Sequence, residues 1–190
     1  MLEEKEILEI LRETKVLREG HFRLTSGRHS KKYMQCAQVL QYPKFTERLC
    51  EELARRFKGH EVHAVVAPAI GGIIIAYEVA KVLGVRALFT EREDGKMTFR
   101  RGFELDEDEN VLIVEDVITT GGSVQEVMEA VRERGANVCG VGILVNRSVG
   151  KVNFGVHTEF LISIEIETWE PDACPLCKEG VPITRPGSRR

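Results

Sequence analysis

The chain has 190 residues, 43% of them hydrophobic and 30% charged, with a formal net charge of −3. That length suits a single domain with a full core, and the slightly acidic balance argues against a general nucleic-acid binder, which is ordinarily basic. The most apolar stretch, 64–80, is interrupted by Pro68, Gly71 and Gly72, which excludes a membrane span. The acidic start, Met1-Leu2-Glu3-Glu4-Lys5-Glu6, lacks the apolar run of a secretory leader, so the expected location is the cytoplasm.

In chain order, Ile7, Leu8, Ile10 and Leu11 predict an amphipathic helix within 2–17. Residues 20–33 are polar, hydroxyl-rich and extended. After Pro43, the apolar residues Phe45, Leu49, Leu53 and Phe57 recur every four positions, giving a helix that Gly59 ends. Val62–Ala67 reads as a buried strand, Gly71–Leu83 as a helix stopped by Gly84, and Val85–Phe89 as another strand. The charged stretch 90–109 is expected to be a long mobile loop. Val111–Val114 is a strand, and Val124, Val127, Met128 and Val131 mark a helix running to Gly135. Val138–Val145 and Val156–Ile166 are further strands, and the last residues form a C-terminal strand with a frayed tail. Strands alternating with helices call for an α/β fold with a mostly parallel, helix-flanked sheet. Ligands in such sheets bind beyond the carboxyl ends of the strands.

The most informative segment lies at one such end. Glu115 and Asp116 close an apolar strand and are followed by Val117, Ile118, then Thr119-Thr120-Gly121-Gly122-Ser123, which opens a helix. Backbone N–H groups and a helix dipole converge there on an anion, and two adjacent acids can accept hydrogen bonds from a diol. The segment is neither a Walker loop nor a dinucleotide fingerprint. Pro68-Ala69-Ile70-Gly71-Gly72 follows another strand and lets backbone approach a diphosphate; alternatively it is a tight turn with packing glycines. The cations Arg92, Lys96, Arg100 and Arg101 suit a lid over a polyanion, although the same run would also suit a solvated surface. Arg147 follows a fourth strand and offers a planar fork to a carboxylate.

The cysteines are Cys36, Cys50, Cys139, Cys174 and Cys177, an odd count that fits reduced thiols. Cys174-Pro-Leu-Cys177 is half of a tetrahedral zinc site, but no second pair follows it. The reading here is a reduced pair in a C-terminal turn, with a zinc shared between subunits as the alternative.

The acid pair and Thr/Gly/Ser loop resemble the phosphoribosyl-diphosphate (PRPP) signature of type I phosphoribosyltransferases. With Gly20-His21-Phe22-Arg23-Leu24-Thr25-Ser26-Gly27-Arg28-His29-Ser30, which is similar to a hood segment, and with Asn146-Arg147, the chain resembles the orotate phosphoribosyltransferase family. The resemblance implies one domain over 1–190, with residues 20–40 in the hood and 170–190 as a tail. It also implies transfer of the phosphoribosyl group of PRPP to orotate in pyrimidine biosynthesis, giving orotidine 5′-monophosphate and diphosphate. It assigns PRPP to 115–123 and orotate to Thr119 and Arg147. Lys96 and Arg92 become the catalytic cations of a loop, 90–109, that a homodimer shares between its subunits. Mg²⁺ arrives on PRPP, so no protein metal ligand is implied, and neither nucleic acid nor membrane is a partner. Many members carry lysine where Thr25 and Gly71 stand here. A purine phosphoribosyltransferase and a non-catalytic PRPP sensor are the rival readings.

Overall fold

A computed structural model describes residues 1–24, 26–148, 150 and 152–186; Thr25 and the Gly187–Arg190 end of the tail lie outside the described residues. Helix α1 (Glu4–Glu13) leads into the two-stranded antiparallel hairpin of β1 (Leu17–Arg23) and β2 (His29–Met34). A short α2 (Ala37–Leu40) and α3 (Pro43–Arg56) follow, with Pro43 in the first turn of α3, where its missing N–H costs no hydrogen bond. The main body then runs β3 (Ala64–Pro68), α4 (Gly71–Leu83), β4 (Arg86–Glu93), β5 (Lys96–Phe99), β6 (Asn110–Ile118), α5 (Gly122–Arg132), β7 (Asn137–Asn146) and β8 (Thr158–Ser163). A 3₁₀ turn at Pro171–Ala173 and a short α6 (Pro175–Lys178) close the chain.

Six strands form one sheet in the order β5-β4-β3-β6-β7-β8, all parallel except the edge strand β5. Its central strands are buried on both faces, so they read as continuous apolar runs rather than alternating ones. Alternation still sorts the side chains. Val65, Ala67, Leu112 and Val114 face a core formed with α1, α3 and α4, whereas Ala64, Val66, Val111 and Ile113 face Val124, Val127 and Val131 of α5. Strand order reverses between β3 and β6, which places the ends of those two strands at the crevice where an α/β sheet binds its ligand.

Two expectations are corrected. Residues 90–109 are not one long loop. Strand β4 continues to Glu93, turns at Asp94-Gly95, and pairs with β5 from Glu93↔Lys96 to Thr90↔Phe99. Both turn residues have positive φ (48° and 87°), the geometry of a two-residue hairpin. Nor is the described tail a regular strand. It passes through the 3₁₀ turn and α6 and touches the N-terminal hairpin at two isolated bridges, His29↔Trp169 and Phe22↔Thr184. Among the described residues no helix is long and apolar enough to cross a membrane.

Candidate active site

Strand β6 carries the acids. It stays paired with β7 through Ile118↔Asn146, so Glu115 and Asp116 lie within the strand rather than after it. Glu115 is 8% exposed and accepts a hydrogen bond from the Asp116 backbone N–H (3.0 Å); the Asp116 carboxylate accepts from the Val117 N–H (2.8 Å). Among the described residues neither acid pairs with a cation. Burial, and after it the neighbouring Asp116, pushes Glu115 up to about 9, and burial raises Asp116 too. A buried Glu115 beside a half-buried Asp116 thus holds back ionisation until donors or a cation reach the pair.

Beyond β6, Thr119 and Thr120 are exposed, and Gly121 is the N-cap of α5 in the left-handed region (φ 78°). No side chain caps this helix, so the first-turn N–H groups of Gly122, Ser123 and Val124 point into a cup lined by 117–124 and Glu115. That is an anion cradle, with the helix dipole behind it. The side chains of Val117 and Ile118 belong to the cores, so these two residues contribute backbone alone. Gly121 is doubly constrained. Besides its φ, an added Cβ would lie 2.9 Å from Val152 Cγ1 and 3.0 Å from the Phe154 ring. Gly121→Ala is expected to lower unfolding stability by about 2–3 kcal/mol in urea titrations, combining left-handed strain with overpacking.

The turn after β3 arrives from the other side. Ala69 N–H donates to Thr90 O (2.8 Å), the Ala69–Ile70 peptide is cis, and α4 begins at Gly71. An added Cβ on Gly71 would stand 3.0 Å from Asp116 Oδ2, so the turn and the acid pair share one wall. A side chain at 71 would press on that carboxylate.

Arg147 follows β7, its N–H donating to Ile118 O (2.9 Å). Its Nε is buried without a hydrogen-bond partner, and burial draws the guanidinium pKa below its usual value. An orphaned charged donor of this kind fits an anionic ligand that completes it. Asn146, to which the sequence alone gives no separate role, sets the bend. Its Oδ1 accepts from Ser148 N (2.8 Å) and Ser148 Oγ (2.6 Å), while its Nδ2 donates to Ser163 Oγ (3.2 Å). Cys36 likewise carries no signal in the sequence. It is 3% exposed, and burial, then the Asp116 charge, holds its thiol well above the ordinary value, with Arg147 opposing. Cys36 therefore lies in the field of both the acid pair and Arg147, which joins the exit of β2 to the crevice. The Asn146–Ser163 bond and the field at Cys36 are long-range in sequence and leave no local signal.

The structure does not bring Arg92 and Lys96 to the cradle of their own chain. Arg92 pairs with Glu126 of α5 (2.6 Å) and donates to the Gly95 carbonyl. Lys96 begins the edge strand β5, beside the acidic face Glu126, Glu129 and Glu133. Both sit on the hairpin edge, with β3 standing between β4 and β6.

Comparison with known proteins places this geometry. The family model for the phosphoribosyl transferase domain matches residues 37–171. The orotate phosphoribosyltransferase of Desulforamulus reducens is 58% identical over 186 residues, spanning 98% of this chain and 97% of its own. That of Thermoanaerobacter sp. (strain X514) is 57% identical over 189 residues, spanning both chains fully. In fold, the Mycobacterium tuberculosis orotate phosphoribosyltransferase in complex with Fe(III) dicitrate superposes with a TM-score of 0.70 at 20% identity, over 85% of this chain and 96% of that one. The acid-loop cradle, the glycine turn facing it and the full-length identity agree: the chain belongs to the orotate phosphoribosyltransferase family.

Proposed function

We infer that this chain transfers the phosphoribosyl group of PRPP to orotate, releasing diphosphate and forming orotidine 5′-monophosphate. The observation that carries the reading is the pairing of an uncapped α5 N-terminus with two adjacent acids, Glu115 buried and Asp116 half-buried, that have no cation partner among the described residues, together with the orphaned Arg147 Nε at the end of the neighbouring strand. The cradle 119–123 holds the 5′-phosphate through backbone N–H groups and the Thr119, Thr120 and Ser123 hydroxyls. Glu115 and Asp116 accept the ribose hydroxyls. Arg147 takes the orotate carboxylate, with Thr119 alongside the base.

In the reaction the bond from the anomeric carbon to diphosphate breaks with charge building on the ribose ring, and the base nitrogen then closes on that carbon. Fixed dipoles and excluded water are the main contributions such a site can make. The acid pair fits a Mg²⁺–PRPP complex: its carboxylates lack a cation partner among the described residues, and the ion's charge would stabilise the departing diphosphate. Orotate and adenine offered with PRPP and Mg²⁺ test the assignment. Orotate-dependent diphosphate release supports it; turnover of adenine alone defeats it.

The loop cations belong to the neighbouring subunit's site on this reading, and the working unit is a homodimer in the cytoplasm. Two observations support sharing. Arg92 and Lys96 are held away from their own cradle, and α4 leaves Ile70 (84% exposed), Ile74 and Tyr77 as an uncovered apolar stripe beside the diphosphate turn. Lys96→Ala and Arg147→Ala are each expected to lose most activity. An equal mixture, unfolded and refolded together, should recover roughly a quarter of wild-type turnover, because half the dimers then carry one intact site. No recovery would mean that Lys96 serves its own chain.

A further inference from the structure

Away from the crevice, four side chains from opposite ends of the chain meet at one point. His21 stands on β1, His29 begins β2, Cys174 precedes α6 and Cys177 lies within it. His21, His29 and Cys174 are buried (3%, 6% and 0% exposed), and one donor atom from each of the four lies within 4.8 Å of all the others. His21 Nε2 is 3.2 Å from His29 Nδ1, 3.5 Å from Cys174 Sγ and 3.7 Å from Cys177 Sγ; Cys177 Sγ is 3.2 Å from His29 Nδ1. A tetrahedron with Zn–N of about 2.0–2.1 Å and Zn–S of about 2.3 Å has edges of about 3.3 Å between nitrogens and about 3.5 Å between nitrogen and sulfur. The four nitrogen–nitrogen and nitrogen–sulfur edges just given are close to that size, and the other two lie within 4.8 Å.

We propose that His21, His29, Cys174 and Cys177 hold a structural zinc ion that clamps the N-terminal hairpin to the C-terminal segment. The sequence reads Cys174 and Cys177 as a reduced pair with no second pair following; the fold supplies one from elsewhere. The second pair is two histidines on a hairpin at the far end of the sequence, beyond the reach of any spacing rule.

An independent feature fixes the ligand form of one histidine. His21 Nδ1 lies 2.7 Å from Val181 O. A carbonyl only accepts, so Nδ1 carries the proton and Nε2 turns its lone pair inward, the outer-shell arrangement of metal-bound imidazoles. Backbone bonds frame the site on both sides. His29 and Trp169 exchange N–H···O bonds of 2.8 Å, and Thr184 N–H donates to His21 O (2.8 Å). Four protein ligands leave no open position, so the site is structural rather than catalytic. Its consequence reaches the crevice through β2, which ends at Met34, two residues before Cys36, the buried thiol that lies in the field of Asp116 and Arg147.

The test uses full-length protein made without a polyhistidine tag and dialysed against metal-free buffer. Elemental analysis should give about one zinc per chain. Replacement by Co²⁺ should give the thiolate-to-cobalt charge-transfer band and the intense visible bands of a tetrahedral ion. Cys177→Ser, at the most exposed ligand, should lower zinc retention at least about tenfold while far-ultraviolet dichroism is unchanged. In the wild-type chain, chelation should lower Tm and added Zn²⁺ should restore it, a readout that does not depend on any variant folding. Zinc below about 0.1 per chain with no cobalt spectrum, iron in its place, a Cys174–Cys177 disulfide, or a Tm indifferent to zinc removal would each overturn the proposal.

Discussion

Glu115→Gln and Asp116→Asn each lower kcat/KM for PRPP by about 10²–10³-fold, the cost of removing one preorganised group from a charge-developing site. The fold survives Glu115→Gln, because the amide oxygen of the substituted side chain still accepts the Asp116 N–H. Stability moves the other way from activity. Glu115 in the free protein has a pKa raised to about 9, so the folded chain binds more protons than the unfolded chain between about pH 4.5 and 9. Its stability therefore falls as pH rises through that window. Glu115→Gln should flatten the fall and leave the variant about 1–2 kcal/mol more stable than wild type at pH 8, by chemical denaturation. Ribose hydroxyls and the ion carried by PRPP favour the ionised acids, so PRPP binding at about pH 7.5 should release close to one proton. Calorimetry in buffers of different ionisation enthalpy reads that proton, and Glu115→Gln should abolish it. A pH-independent stability in the wild type would contradict the buried-acid account.

Arg147→Ala raises KM for orotate by about 10²-fold or more, the usual loss when a buried charged hydrogen bond to a ligand is removed. The KM for PRPP changes little, because the cradle and acid pair are separate elements. Arg147→Lys recovers only part of the loss, since an ammonium cannot reproduce the planar fork. Stability does not fall, because Arg147 Nε has no protein partner to abandon. A parallel rise in both KM values, or a loss of fold, would move Arg147 from ligand binding to structure.

What the sequence made legible follows from where each signal resides. Helix α4 matches its expected bounds, Gly71–Leu83, because glycines punctuate both ends of an apolar run. Strands β3, β6 and β7 were visible as apolar runs because the sheet buries both of their faces. The β4–β5 hairpin was hidden by its own position. On a sheet edge its exposed residues are charged and its alternation is weak, although Asp94-Gly95 is a two-residue turn signal that could have revealed it. The cradle was legible since its parts are contiguous. The Asn146–Ser163 bond, Cys36 and the histidine partners of Cys174 and Cys177 were not, because each acts across a separation that its neighbours in sequence do not encode. The same holds for Arg92, whose pairing with Glu126 depends on how the hairpin lies against α5.

The most direct measurement is a crystal structure with the product orotidine 5′-monophosphate bound. The account predicts the 5′-phosphate on the N–H groups of 119–123, the ribose hydroxyls on Glu115 and Asp116, and the base carboxylate on Arg147. A product whose phosphate lies outside the α5 N-terminus, or whose carboxylate leaves Arg147 Nε unpaired, would contradict it.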